Sequence, residues 1–214
     1  MTHAITKEQY INDPCGVCST AFWKNDFFQK PEDLQILHAN ELSGIDIDTY
    51  NMTRYFRLKH NMEVLDTCKL NRDYHYQTVN IETQRELVSD LINRCYEDIS
   101  VTPAQINDWT KYSVFDNDLW VFVYEKESET PIALGIADFD KDIKEGSLEW
   151  IQVLPEKRGR GFGKALVGEL LQRLESKADF VTVSGQIENN ANPEAMYRNC
   201  GFTGDDVWCV LQKL

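Results

Sequence analysis

An α/β fold is predicted, with a central mixed β-sheet and helices on both faces, and three observations predict it. From about Tyr74 onward, β-rich runs and amphipathic stretches follow the order β-α-α-β-β-β-α-β-α-β. Two dense apolar runs, residues 120–124 and 132–139, flank a charged turn at 125–130 and read as a hairpin. A further run, residues 147–153, passes a proline, enters a loop rich in glycine and base, and opens directly into a helix.

The elements follow in order. Residues 1–30 mix turn residues (Asp13-Pro14-Cys15-Gly16) with aromatics (Phe22-Trp23, Phe27-Phe28), a density that suits a segment pinned to a larger body, Trp23 among its anchors. Residues 34–38 and 55–58 alternate as short strands, with a polar connection at 44–48. Asp46 and Asp48 lack the remaining ligands of an EF-hand loop, so a solvated turn is expected there. Residues 76–80 read as a strand, and 82–95 as a helix with Leu87, Val88, Leu91, Ile92 and Cys95 on one side. Thr102-Pro103 starts another helix, threonine as cap and proline in the first turn. Beyond the glycine loop, Phe162, Leu166, Leu170 and Leu174 form one helical stripe. A β-branched strand at 180–184, a short helix at 193–199 stopped by Gly201, and a strand at 207–211 complete the chain. No internal repeat or low-complexity tract interrupts the pattern.

Composition narrows the function classes. The chain has 214 residues, 42% hydrophobic and 27% charged, as in a soluble globular protein. Its 22 basic and 35 acidic residues give a net charge of -13, which disfavours nucleic acid and anionic membrane as partners and is compatible with a cationic substrate. No apolar run approaches the ~20 residues that span a bilayer. The N-terminus lacks a basic segment followed by an apolar one, so a cytoplasmic location is the expectation. In that compartment Cys15, Cys18, Cys68, Cys95, Cys200 and Cys209 are expected as reduced thiols. Cys15-Gly-Val-Cys18 has zinc or redox spacing, but no second Cys-x-x-Cys completes a site and no metal is expected.

The informative stretch is Val153-Leu154-Pro155-Glu156-Lys157-Arg158-Gly159-Arg160-Gly161-Phe162-Gly163-Lys164. Glycines at 159, 161 and 163 allow close backbone approach, and the first amides of the following helix have no partner within it. With the positive end of the helix dipole behind them, they suit a phosphate or pyrophosphate. A P-loop fails on spacing: its first glycine falls on Arg158 and its magnesium-binding hydroxyl on Ala165. A dinucleotide fingerprint fails too, because its third glycine falls on Lys164 or Leu166.

Arg158-x-x-Gly161-x-Gly163, preceded by Val153-x-Pro155, resembles the acyl-coenzyme A loop of the GNAT acetyltransferase superfamily. The run Asn190, Met196, Tyr197 and Gly201-Phe202 is similar to a second motif of that family, with Pro193 where alanine is usual. The resemblance covers residues 75–214, taken as the acetyltransferase domain, and leaves residues 1–74 as an N-terminal extension or small lobe. It implies an N-acetyltransferase that moves an acetyl group from acetyl-coenzyme A to a small-molecule or peptide amine by direct attack in a ternary complex. A catalytically silent acyl-coenzyme A sensor or interaction module is the alternative, and a homodimer is left open. The resemblance further implies that Arg158, Gly159, Arg160, Gly161, Phe162, Gly163 and Lys164 hold the pyrophosphate, chiefly through backbone amides. Val153 and Leu154 would meet the pantetheine arm, and Asn190 would contact it.

For catalysis, Tyr197 falls where family members often place the general acid. A phenol of pKa about 10 stays protonated at neutral pH and can protonate a departing thiolate; the other reading is a core tyrosine. Glu149 lies on the strand leading to Val153, on the face of Ile151 and Val153 by period two, and is the candidate base. Some family members place a glutamate where this chain has Ser147, and a solvated or salt-bridged carboxylate is the other reading of Glu149. Glu188 is a less favoured base, Arg158 and Arg160 read equally as solvated cations, and Cys200 reads as packing.

Overall fold

The computed structural model describes residues 5–27, 31–63, 65, 70–96, 99–189 and 191–214. In chain order, helix α1 (Lys7–Asn12) precedes strands β1 (Leu34–His38), β2 (Tyr50–His60) and β3 (Tyr74–Thr78). Helices α2 (Arg85–Cys95) and α3 (Pro103–Trp109) follow, then strands β4 (Trp120–Glu125), β5 (Pro131–Asp140) and β6 (Glu145–Val153). Helix α4 (Phe162–Leu174), strand β7 (Phe180–Gln186), helix α5 (Pro193–Arg198) and strand β8 (Thr203–Lys213) complete it. From β3 onward this is the element order expected from the sequence. The chain divides into two compact units, Met62–Asp179 and, together, Met1–Asn61 with Phe180–Leu214; we call them the middle and terminal units by their place along the chain.

In the middle unit, β3, β4, β5 and β6 pair successively as antiparallel neighbours. Trp120, Phe122 and Tyr124 alternate to one face of β4, beside Leu134 and Ile136 of β5. There they bury Val88, Leu91, Ile92 and Cys95 of α2 and Ile106 of α3. Thr102 caps α3 through its side chain, with Gln105 completing the capping box and Pro103 in the first turn. Helix α4 takes the opposite face: a Cβ at Gly135 would stand 3.0 Å from a Leu170 methyl and 3.2 Å from one of Leu166. Helices thus cover both faces, and the absence of a side chain at 135 lets α4 come down onto β5. The Tyr76 hydroxyl donates to the Ala165 carbonyl at 2.9 Å, joining β3 to the same helix.

In the terminal unit the order is β1-β8-β2-β7, each pair antiparallel. The N-terminal segment is integral to it. Arg57 of β2, 2% exposed, donates to the Pro14 carbonyl (3.0 Å), the Tyr10 hydroxyl (2.7 Å) and the Thr20 carbonyl (2.7 Å). It also donates to Ser184 of β7 at 3.0 Å. Trp208 of β8 donates to the Cys15 carbonyl at 2.8 Å. The pinned segment read from residues 1–30 is therefore found, although the arginine that pins it was not anticipated; Phe28 lies outside the described residues. Cys15 is buried deeply enough to push its thiol up to about 11, so it stays protonated near neutral pH. Among the described residues no group of three or more His, Cys, Asp and Glu gathers as a metal site; Cys68 lies outside them. No helix among the described residues is long and apolar enough to cross a membrane.

Substituting Gly135→Val should overpack the β5–α4 contact and destabilise the protein by about 2 kcal/mol. The urea midpoint should fall with an unchanged slope; an unchanged midpoint would show that Leu166 and Leu170 yield freely.

Candidate active site

The loop between β6 and α4 is built from local conformations that few residues accept. Residues Pro155–Lys157 form one turn of 3₁₀-helix, closed by the Lys157 amide on the Leu154 carbonyl at 2.8 Å. Gly159 and Gly161 then adopt φ of +74° and +84°, the left-handed region that side chains disfavour by roughly 1–2 kcal/mol. Gly161 is the N-cap of α4 and brings no capping side chain. The first helical bond runs from the Ala165 amide to the Gly161 carbonyl at 3.0 Å, so the amides of the first turn lie ahead of the helix's own hydrogen bonding. A Cβ on Gly159 or Gly161 would meet no atom within 4 Å. The backbone therefore stands open where an anion needs it to be, with a helix of thirteen residues behind it.

Side chains around the loop hold it in place. Arg158 donates from Nε to the Val153 carbonyl at 3.2 Å and from Nη2 to the Cys95 carbonyl at 3.0 Å. The second bond satisfies a carbonyl at the C-terminus of α2, where a cation is favoured. Sequence reading offered Arg158 as a phosphate ligand or a solvated cation; its guanidinium instead ties the ends of β6 and α2 to the loop. Lys157 reaches Glu125 at the end of β4 at 2.6 Å. That hydrogen bond, ahead of other causes, holds the Glu125 carboxyl below the ordinary glutamate range, with Arg160 adding to the effect. Two partners separated by two whole strands leave no signal in a linear sequence.

The remaining predicted residues divide. Phe162 contributes its backbone alone, since its ring is buried edge-on against Tyr74 at 4.7 Å. Gly163 and Lys164 follow it in the first turn of α4. Arg160 is exposed. Leu154 is buried in the core, donates its amide to Ile132 at 3.0 Å and receives the Lys157 amide on its carbonyl. Its backbone is thereby engaged within the protein, as is the Val153 carbonyl through Arg158.

Glu149 requires a correction. Period-two alternation put it on the face of Ile151 and Val153, but β6 carries a bulge. Trp150 pairs with Ile136 and Leu148 with Ala137, which leaves Glu149 as the extra residue. Ser147 pairs with Asp138, two residues beyond Ile136 on β5, so Ser147 and Trp150 share a face. The Ser147 hydroxyl donates to the Glu149 carboxylate at 3.0 Å. Glu149 is thus drawn to the face of Trp150, opposite Ile151 and Val153. Ser147 thereby orients the carboxylate of the bulge.

Tyr197 and Glu188 belong to the terminal unit. Tyr197, on α5, is buried between Phe56 (6.0 Å) and Phe202 (5.7 Å). Its carbonyl accepts the amides of Cys200 and Phe202, and Gly201, at φ +90°, makes the turn that ends the helix. Glu188 is paired with Arg54 through a 2.7 Å hydrogen bond that lowers its carboxyl pKa. Cys200 is buried, as expected of a packing residue. Asn190 lies outside the described residues.

The chain thus sends a strand through a left-handed glycine cap into a helix whose first amides lie outside its own hydrogen bonding. Residues 85–202 match the acetyltransferase (GNAT) family, and the chain belongs to that family. Among solved structures it is similar to a GCN5-related N-acetyltransferase from Sphaerobacter thermophilus, with a TM-score of 0.72 and 14% identity over 88% of this chain and 62% of that one. It is similar also to a GNAT-family acetyltransferase from Colwellia psychrerythraea, with a TM-score of 0.61 and 14% identity over 84% of this chain and 64% of that one. A chain of the NatC complex, solved bound to Gag peptide and CoA, gives a TM-score of 0.51 and 18% identity over 66% of this chain and 99% of that one. These likenesses show the fold, the α/β GNAT fold expected from the sequence. This chain spans less than two thirds of the length of the first two structures. No curated protein matches it in sequence.

The Lys157–Glu125 pair predicts a pH effect. Because the folded state holds the Glu125 pKa below its unfolded value, the stabilisation is full above the ordinary glutamate range. It is lost as pH falls through the lowered folded value. Urea midpoints of the parent and Glu125→Gln should therefore differ at pH 7 and converge as pH falls below the lowered Glu125 value. A constant difference would remove the ion pair as its cause.

Proposed function

We propose that the protein is an N-acetyltransferase that moves an acetyl group from acetyl-coenzyme A to a primary amine by direct attack in a ternary complex. The observation that carries this reading is the open, left-handed cap of α4 at Gly161, with Gly159 similarly disposed, at the end of β6. The CoA present in the NatC structure supports an acyl-coenzyme A donor. Membership of the GNAT family supports acyl transfer in general.

In this reading the amides of the first turn of α4, from Gly161 through Lys164, receive the pyrophosphate, while Arg158 holds their loop in register. The strand end at Val153 and Leu154 borders the acyl arm, and Asn190 contacts the arm as its motif implies. The amine enters as an ammonium ion and gives a proton to Glu149. Its nitrogen lone pair then attacks the thioester carbonyl, a C–N bond forms, and the C–S bond breaks. The departing thiolate takes a proton from a phenol, the role proposed for Tyr197 on the strength of its motif and the order of pKa values, and the second proton the nitrogen loses on becoming an amide restores that phenol by way of solvent. The net charge of -13 suits a cationic acceptor. A catalytically silent CoA sensor predicts cofactor binding without acceptor-dependent thiol release, and absence of CoA binding by calorimetry would sink both readings.

Two substitutions separate the parts. Gly161→Asp places a carboxylate in the cradle and a side chain at φ +84°. It should weaken CoA binding by about two orders of magnitude, roughly 2.7 kcal/mol. Parent-like affinity in calorimetry would remove the cradle from the binding site. Glu149→Gln should lower turnover near neutral pH by about 10²-fold. Activity should recover partly as pH rises toward the amine's own pKa of about 10 and free base becomes available. A pH profile parallel to the parent's would take the base role from Glu149.

A further inference from the structure

The face of β6 to which the bulge draws Glu149 is aromatic, and its rings are held in a defined order. Trp109, at the end of α3, stacks on Trp150 with ring centres 5.6 Å apart and planes 17° from parallel. Tyr96, just after α2, meets Trp150 edge to face at 6.2 Å. Gln152, itself 4% exposed, spends its amide on the Tyr96 hydroxyl at 3.0 Å. A buried amide group thus positions a tyrosine that is 36% exposed. Core packing gives no reason to fix a ring that half faces solvent. Recognition does, because an exposed ring held by a buried partner is pre-organised to meet a ligand.

Two carboxylates share this face. Glu149 is held by Ser147, and Asp138, the cross-strand neighbour of Ser147, shares the face of Trp150. Carboxylates beside aromatic rings complement an organic cation: the ring quadrupoles attract the ammonium, and the carboxylates balance its charge. Neutral or anionic ligands gain nothing from the second feature.

We infer that Tyr96, Trp150 and Glu149 form the acceptor subsite and that it selects an alkylammonium ion, with methylene carbons against the rings and nitrogen toward Glu149. The inference rests on the acyl-transfer reading for its place in the reaction, but the binding it describes needs no donor. Gln152 is a positioning residue for Tyr96.

The test is a titration without any acyl donor, using hexylammonium and the neutral isostere hexan-1-ol, followed by intrinsic tryptophan fluorescence and calorimetry. Hexylammonium should bind at least about tenfold more tightly than hexan-1-ol. Tyr96→Leu should weaken hexylammonium about tenfold, and Tyr96→Phe, which keeps the ring but loses its tie to Gln152, should lose less, about threefold. Because Tyr96 is partly exposed, both variants should stay folded, their urea midpoints lowered together by the loss of the Gln152 bond. No binding of hexylammonium, equal binding of the alcohol, or an unchanged affinity in Tyr96→Leu would overturn the subsite. A parallel assay with acetyl-coenzyme A and hexylamine separates the two readings. Thiol release with a KM indifferent to Tyr96→Leu removes the subsite and leaves acyl transfer standing. Tyr96-dependent binding without thiol release supports the subsite and removes acyl transfer.

Discussion

The structure of the candidate site depends on one constraint: the chain must pass from β6 into α4 while keeping the first turn of the helix open to a ligand. An ordinary cap would close that turn, since a serine, threonine or aspartate at the cap bonds an amide of the first turn. Gly161 at φ +84° avoids this, supplying the turn without supplying an acceptor. The conformational freedom that makes glycine a weak cap also leaves the loop without intrinsic stiffness. Stiffness comes from neighbours, through Arg158 on the carbonyls of Val153 and Cys95 and Lys157 on Glu125. The basic residues of the motif therefore divide their work by position. Arg158 and Lys157 face back into the protein and brace the loop, and Arg160 stays at the surface.

Bracing of this kind works only if the elements being joined are themselves fixed. The core between α2, α3, β4 and β5 does this for the carbonyl of Cys95, because Cys95 is itself a buried member of that core. The close approach of α4 at Gly135 does the same for the helix whose N-terminus forms the cradle. Stacked and edge-on rings such as Trp109 on Trp150 add about 0.5–1.5 kcal/mol per pair beyond their buried area. They also limit how the end of α3 can move over β6. Packing, clamp and open cap are successive requirements of a single geometry, and a loss at any earlier stage reaches the amides.

Features set by local chemistry were legible in the sequence. Glycine and proline mark the loop, Thr102-Pro103 marks the start of α3, and apolar periodicity marks α4, because each signal is complete within a few residues. Helix α1 was equally legible and was passed over: Thr6 and Gln9 form a full capping box, hidden among turn residues and aromatics. The Glu149 bulge could not be read the same way. It is a property of the register between β5 and β6, and alternation along one strand carries no information about an extra residue opposite its neighbour. The partners of Arg158 were illegible for a related reason. Its charge suggested phosphate, while its partners are carbonyls at the ends of two elements that only the folded chain brings together.

The bulge also explains how one strand can serve two kinds of contact. Without it, Glu149 would alternate onto the face of Ile151 and Val153, where α4 covers the sheet and a carboxylate would lose hydration without gaining a cation. The extra residue reverses the face for everything before it, so Ser147 and Trp150, three positions apart, stand together and the carboxylate has a hydroxyl donor beside it. Beyond the bulge the strand resumes its alternation, with Gln152 buried under Tyr96 and Val153 reaching the clamp. The same nine-residue strand thus presents a hydrogen-bonded carboxylate among aromatic rings at one point and anchors the phosphate loop a few residues later. One inserted residue sets that division, and deleting it would move Ser147 and Glu145 to the opposite face together.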